Sequence, residues 1–195
     1  MFEWFKKRKT KLSDQPNASR PSVGRAHIHI PGLGQVRSDG PGSHISVPIS
    51  VKVLSGERCE ISVEGYEDDE NQEDFHVAIA NFLSIEPSVL DAAEPYIFQY
   101  YQDCSAYVPE LTIRSSDEVW RHISFGYPTV FRDLSGNGGI YVSLECGCDW
   151  EEEHGLEIVF RNGAEVNKIG PCDGHPTNSD AYDDPGLGEV VYRRL

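Results

Sequence analysis

The sequence predicts an α+β fold, a single domain with an N-terminal β-hairpin, central helices and a C-terminal antiparallel sheet, preceded by a flexible basic arm. Three patterns predict it. Apolar residues alternate with period two over Ile45 to Val53 and again over Ile140 to Asp149, the signature of half-buried strands. Phe75, Ala78, Ile79, Phe82 and Leu83 recur at intervals of three and four, as on one face of a helix. Asn162-Gly163 separates two apolar runs, and this pair supplies the positive backbone angles of a tight hairpin turn.

In chain order, residues 1–44 form the arm, with Ser, Pro and Gly concentrated over 13–44, and residues 45–195 form the domain. Ile45 to Val53 is the first strand, placed at a sheet edge by Pro48, and Ser55-Gly56-Glu57 turns it into a second strand over Arg58 to Val63. The acidic run Glu67 to Glu73 sets carboxylates at the start of the helix carrying Phe75 to Leu83, where the helix dipole favours them. A second helix runs from Pro87 to about Gln102, kinked or restarted at Pro95. Ser115-Ser-Asp-Glu118 matches a capping box ahead of a short apolar face of Val119, Trp120 and Ile123, which Gly126 ends. Pro128 to Arg132 is a strand, Gly136-Asn-Gly-Gly139 a turn, and Ile140 to Asp149 a strand. In the last, Ile140, Val142, Leu144, Cys146 and Cys148 face the core, and Tyr141, Ser143, Glu145, Gly147 and Asp149 face away. The hairpin of Leu156 to Arg161 and Ala164 to Ile169 sets Val159 opposite Val166 and Glu157 opposite Lys168 as a cross-strand ion pair.

The chain has 195 residues and a net charge of −15. Residues 1 to 37 carry eight Lys or Arg against Glu3 and Asp14, a net of +6, so the rest carries −15 − 6 = −21. A body of that charge repels nucleic acid and attracts a basic partner. Five cysteines, an odd number at irregular spacing, argue against a disulfide framework, and no apolar segment follows the basic leader. The expected location is the cytoplasm. Phe2, Trp4 and Phe5 beside Lys6 to Lys11 could touch an anionic membrane through residues 2–11, a contact too short to anchor the chain alone.

Chemistry-bearing residues crowd into Cys146 to Phe160 and Cys172 to His175. Cys146 and Cys148 lie two apart on one strand face, whereas zinc knuckles use wider spacings at turns. His154, Asp173 and His175 make a two-imidazole, one-carboxylate set suited to zinc or iron if their loops converge. Glu151, Glu152 and Glu153 are consecutive, so an extended chain cannot aim all three at one centre. An acid–base pair drawn from Glu151, Glu153, Asp173 and Asp180 would need two carboxylates in a shared cleft. Cys172 beside Asp173 and His175 carries a nucleophile and base, without a recognised nucleophile motif. Asp173, Asn178, Asp180, Asp183 and Asp184 offer oxygen ligands but miss the spacing of a calcium loop.

The segments Val119-Trp-Arg-His122, Tyr141-Val-Ser-Leu-Glu-Cys146, Cys148-Asp-Trp-Glu-Glu-Glu-His-Gly-Leu156, Asn162-Gly163 and Asp173-Gly-His175 resemble a family of uncharacterised bacterial domains of unknown function. Some such domains are similar to toxin-immunity proteins, and the resemblance is nearly silent on activity; no cofactor is expected. The leading expectation is a non-enzymatic, immunity-like or antitoxin-like module. Its face around Trp150, Glu151, Glu152, Glu153, His154, Asp173, His175 and Asp180 would capture a basic protein such as a toxin, with no nucleic acid involved. The competing expectation is a metal-binding protein or metal-dependent hydrolase using His154, Asp173 and His175.

Overall fold

The computed structural model describes residues 28–134 and 136–194; the basic leader and the membrane contact expected for residues 2–11 lie outside them. The architecture is α+β, with strands first, helices in the middle, and a large, mainly antiparallel sheet. The strands are β1 (Ile28–Ile30), β2 (Gly34–Gly40), β3 (Ser43–Ile45), β4 (Ile49–Val51), β5 (Glu57–Cys59), β6 (Ser62–Glu64), β7 (Ile123–Arg132), β8 (Ile140–Cys148), β9 (Glu151–Arg161) and β10 (Glu165–Gly170). Helices α1 (Gln72–Ser84), α2 (Ser88–Asp91) and α3 (Glu94–Cys104) fall between β6 and β7, and α4 (Asn178–Tyr182) follows β10. Eight strands form one sheet in the order β1-β2-β3-β6-β7-β8-β9-β10, and β4 and β5 form a separate ribbon. Only β6 and β7 pair in parallel among the described strands, and the helical segment supplies the long crossover that a parallel pair requires.

The arm expected over 1–44 is corrected from residue 28 onward. Residues 28–44 build β1, β2 and most of β3, and Ile30, Leu33 and Val36 are buried. Their glycines serve tight turns: Gly32, Gly34 and Gly42 all have positive φ. Turn chemistry between very short strands therefore has the composition of a linker.

The first expected hairpin exists but is broken. Paired residue numbers sum to 107 in β3–β6 (Ile45↔Ser62) and to 108 in β4–β5 (Ile49↔Cys59), so the first strand holds one extra residue between the ladders. Pro48, which has no N–H to donate, lies in that gap, and Val47 is turned out to solvent at 62% exposure. Ser46 repairs the break: its N–H donates to the Ile61 carbonyl, and its Oγ accepts the Ile61 N–H.

Helix α1 buries Phe75, Ala78, Ile79 and Phe82, the face read from the sequence. Phe82 meets Phe160 of β9 edge-on, with ring centroids 5.4 Å apart. The expected second helix divides into α2 and α3, and Pro95 sits in the first turn of α3, where its missing N–H costs no helical bond. The capping-box segment is a 3-10 helix, Ser116–His122. The box does not form: the Glu118 carboxylate accepts the N–H of Arg114, one residue before the N-cap, and the Ser115 side chain caps nothing. Ile123 then opens β7, and Gly126 is a bulge within that strand rather than a helix stop. A Cβ at Gly126 would lie 2.2 Å from the Glu145 carbonyl oxygen, so the close approach of β7 and β8 requires glycine.

The Asn162-Gly163 hairpin is present with a different register. Arg161 pairs with Glu165, leaving three loop residues, and a bulge at Asn167 shifts the pairing again. Val166 therefore faces Phe160, Lys168 faces Val159, and Gly170 faces Glu157. The turn presses against α1: the Asn81 side chain donates to the Asn162 carbonyl at 3.0 Å, and a Cβ on Gly163 would fall 2.1 Å from the Ala78 carbonyl oxygen.

Both faces of the sheet are buried at its β8–β10 end. The alternating set Ile140 to Cys148 packs toward the helices as expected. Tyr141 and Ser143, expected to face away from the core, are also buried, as are Glu157, Val159 and Lys168 on the same face. The chain leaving β10 crosses this second face, tied there by Lys168 to Asp173 and by the Asn167 side chain to the Pro176 carbonyl.

Candidate functional site

The residues singled out by the sequence fall into three places. The first is the tip of the β8–β9 hairpin, where Cys148 pairs with Glu151 across Asp149 and Trp150. The next pairing is Cys146 with Leu156, so four residues of β9, 152 to 155, stand against Gly147 alone. The Glu151 carboxylate organises this excursion: it accepts the N–H groups of Glu153 at 3.0 Å and His154 at 2.7 Å, and lies 3.2 Å from His154 Nδ1. Gly155, at φ 70°, closes it, because a Cβ there would lie 2.4 Å from the Cys146 carbonyl oxygen. Glu152, Glu153 and His154 are exposed. The carboxylates diverge, as consecutive residues on an extended chain must.

Trp150 is not part of that surface. It is 2% exposed and packs edge-on against Tyr100 and Tyr101, each with a centroid separation of 6.1 Å. The expectation of a tryptophan anchor at an interface is corrected: the two-residue turn folds the indole back into the core, and a buried ring offers no contact to a partner. Tyr100 spans the same place, donating its hydroxyl to the Gly155 carbonyl at 3.0 Å.

The second place is the loop after β10. The Cys172 N–H donates to the His154 carbonyl at 3.4 Å, bringing this loop beside the hairpin tip. Asp173 Oδ1 accepts the His175 N–H at 2.9 Å and also contacts Lys168 Nζ. The exposed His154 and His175 lie on two segments joined by this bond, but they do not assemble with Asp173 into a metal site among the described residues. Asp173 is engaged by an ammonium, and among the described residues no three His, Cys, Asp or Glu side chains are gathered to hold a metal. Burial pushes the Cys172 thiol up to about 12, which disfavours the thiolate a nucleophile needs. Burial likewise pushes Cys148 up to about 12 and raises Cys146, which suits thiols used as packing.

Asp180 occupies the third place, at the opposite end of β8. It caps α4 with Thr177, whose Oγ1 accepts the Asp180 N–H at 3.0 Å and donates to its carboxylate at 2.5 Å. With Asn137, Arg161, Thr177, Ser179 and Glu189 it lines an open polar cleft of about 440 Å³. The length of β8, nine residues at roughly 3.3 Å each, separates this cleft from Glu152 and Glu153. Asp180 therefore does not share a surface with the hairpin tip.

Two charge clusters, one buried and one half-buried, were not read from the sequence as clusters. Lys168, with a side chain 1% exposed, places Nζ 3.4 Å from Glu157 and 2.7 Å from the His175 carbonyl, besides Asp173. Glu157 accepts the Ser143 hydroxyl at 2.7 Å, and burial raises its pKa against the opposing pull of Lys168. The signal was available: Glu157 and Lys168 are charged residues inside the apolar runs Leu156–Phe160 and Val166–Ile169. In the second cluster, Arg132 donates to Asp69 at 2.6 and 3.0 Å, to Asp74 at 2.8 Å and to the Gly138 carbonyl at 2.7 Å. Its hydrogen bonds hold the Asp69 carboxyl below the usual carboxylate range.

Among the described residues no helix is long and apolar enough to cross a membrane. No curated protein and no solved structure matches the chain. A family model does match, from residue 32 in the β1–β2 turn to residue 176 on the second face, and so spans the eight-stranded sheet apart from β1, together with α1, α2 and α3. The chain belongs to the family described as a domain of unknown function, DUF6985.

Proposed function

We propose that this protein is a non-enzymatic binding module that captures a basic protein partner, in the manner of an immunity protein or antitoxin neutralising a toxin. The observation that carries the reading is the exposed pair Glu152 and Glu153 at the tip of a hairpin pinned from below by the Glu151 carboxylate. Carboxylates on a held turn lose little freedom on binding, and the −15 net charge of the chain speeds encounter with a cationic partner. His154 extends this rim, the Cys172 loop is bonded to it, and Trp150 supports it from the core.

The test is affinity capture from the source cell, followed by measured binding of the recovered partner to wild type and to a Glu152→Lys/Glu153→Lys variant. The reading expects a salt-sensitive association rate that falls at least tenfold on charge reversal. Equal binding by the reversed variant, or recovery of no partner, rejects it.

A further inference from the structure

We propose that Lys168 and Asp173 condense into an intramolecular amide, with Glu157 carrying the proton between them. The proposal is independent of the binding reading and rests on the geometry of the second sheet face. Lys168 Nζ is in direct contact with Asp173 Oδ1, and Glu157 Oε2 stands 3.4 Å from the same nitrogen. Both side chains are held from elsewhere: Asp173 by the His175 N–H at 2.9 Å, and Glu157 by the Ser143 hydroxyl at 2.7 Å. The Lys168 side chain is 1% exposed, Glu157 is 6% exposed, and Asp173 is 29% exposed. Nucleophile, electrophile and proton carrier are thus fixed together in a largely dry site, with an opening at the carboxyl that would lose water. Holding reacting groups in contact this way removes much of the entropic barrier to joining them.

The reaction balances without a co-reactant. An ammonium and a carboxylate give an amide and one water. Glu157 accepts a proton from Nζ, which frees the lone pair, and the Nζ–Cγ bond forms. Glu157 returns that proton to the departing Asp173 oxygen as the Cγ–O bond breaks. A second proton from Nζ completes the water, and nothing is oxidised or reduced. Burial raises the pKa of Glu157, which suits a carboxyl that must take up and release a proton. The product also removes an ammonium and a carboxylate from a poorly solvated site, where a charge pair is costly to keep. The ring it closes runs from Lys168 of β10 to Asp173 and fastens the start of the following loop to the strand.

Intact mass of the denatured, reduced full chain decides the matter, together with a tryptic map. The amide predicts a chain one water lighter than its sequence and a peptide that contains both Lys168 and Asp173, uncut after Lys168. An Asp173→Ala variant should have its full sequence mass, as should Glu157→Gln, whose retained fold is checked by circular dichroism. A wild-type chain of full sequence mass overturns the proposal. So does a mass deficit with normal cleavage after Lys168, because Asp173-Gly174 would then have closed on itself as a succinimide. A deficit persisting in folded Glu157→Gln removes Glu157 as the proton carrier and overturns the proposal in that form.

Discussion

Glu157 and Lys168 join across β9 and β10 although neither stands opposite the other: the ladder pairs Glu157 with Gly170 and Lys168 with Val159, and the long lysine side chain reaches diagonally to close the 3.4 Å gap. The bulge at Asn167 makes this reach possible, because it turns Lys168 onto the face that Glu157 already shares with Ser143. Replacing Lys168 with Met removes the nitrogen that faces Glu157 and its tie to Asp173, and leaves the Glu157 carboxyl group buried without that donor. The expected loss is about 1–3 kcal/mol in denaturant unfolding. A change under about 0.5 kcal/mol would show that Lys168 is not holding this face together.

Asp69 and Arg132 set a pH dependence. The folded pKa of Asp69 is depressed by Arg132, so its stabilising contribution is present above the unfolded carboxylate range and is lost as pH falls through the lower folded value. Asp69→Asn should lower stability at neutral pH by about 1–3 kcal/mol. It should also flatten the acid limb of a stability-against-pH curve below about pH 4. An unchanged acid limb would disprove the coupling.

Gly163 meets the backbone of α1 and has a φ of 66°. Gly163→Ala combines a left-handed conformation with a contact to the Ala78 carbonyl oxygen that no side-chain rotation relieves. A loss of about 2 kcal/mol or more is expected. Gly34→Ala is the control, since a Cβ there meets nothing within 4 Å and only the positive φ penalises it. Thermal denaturation of the two variants should rank Gly163→Ala clearly lower.

Trp150 and the glutamates beside it should separate in their effects. Trp150→Ala removes a ring buried against Tyr100 and Tyr101 and should cost about 3–5 kcal/mol in denaturant unfolding. Glu152→Lys and Glu153→Lys, on exposed positions, should stay within about 0.5 kcal/mol of wild type. A Glu152 or Glu153 variant as unstable as Trp150→Ala would mean that the tip carboxylates serve the fold.

The strands and helices with uninterrupted apolar periodicity were legible from sequence, because β8 and α1 each repeat one pattern long enough for burial to impose it. What escaped detection were β1, β2 and most of β3: β1 and β3 have three residues each, and β2 buries only Val36 among its glycines and polar residues, so no alternation stands out. The register of β9–β10 escaped for a different reason: Asn-Gly announces a turn, but not the third loop residue or the bulge at Asn167. At the candidate site, the divergence of Glu151 to Glu153 followed from strand geometry alone. The burial of Trp150 did not, since a turn residue can fold either way and only Tyr100 and Tyr101, some fifty residues earlier in the chain, decide it.

The parallel seam between β6 and β7, which pairs only Ser62 with Thr129 and Val63 with Val130, has a kinetic consequence. On either side of it the sheet consists of antiparallel neighbours, and residues 65–122 must be looped back before the two parts can meet. Closing a loop of that size costs on the order of 4 kcal/mol of chain entropy, and the seam alone repays little of it. The long-range closure is therefore the expected slow event of folding, with the packing of α1 onto β8 and β9 expected to make it productive. Variants that weaken Phe82 against Phe160 should slow refolding more than they speed unfolding, which places the timing of assembly in the helical crossover rather than in the strands it connects.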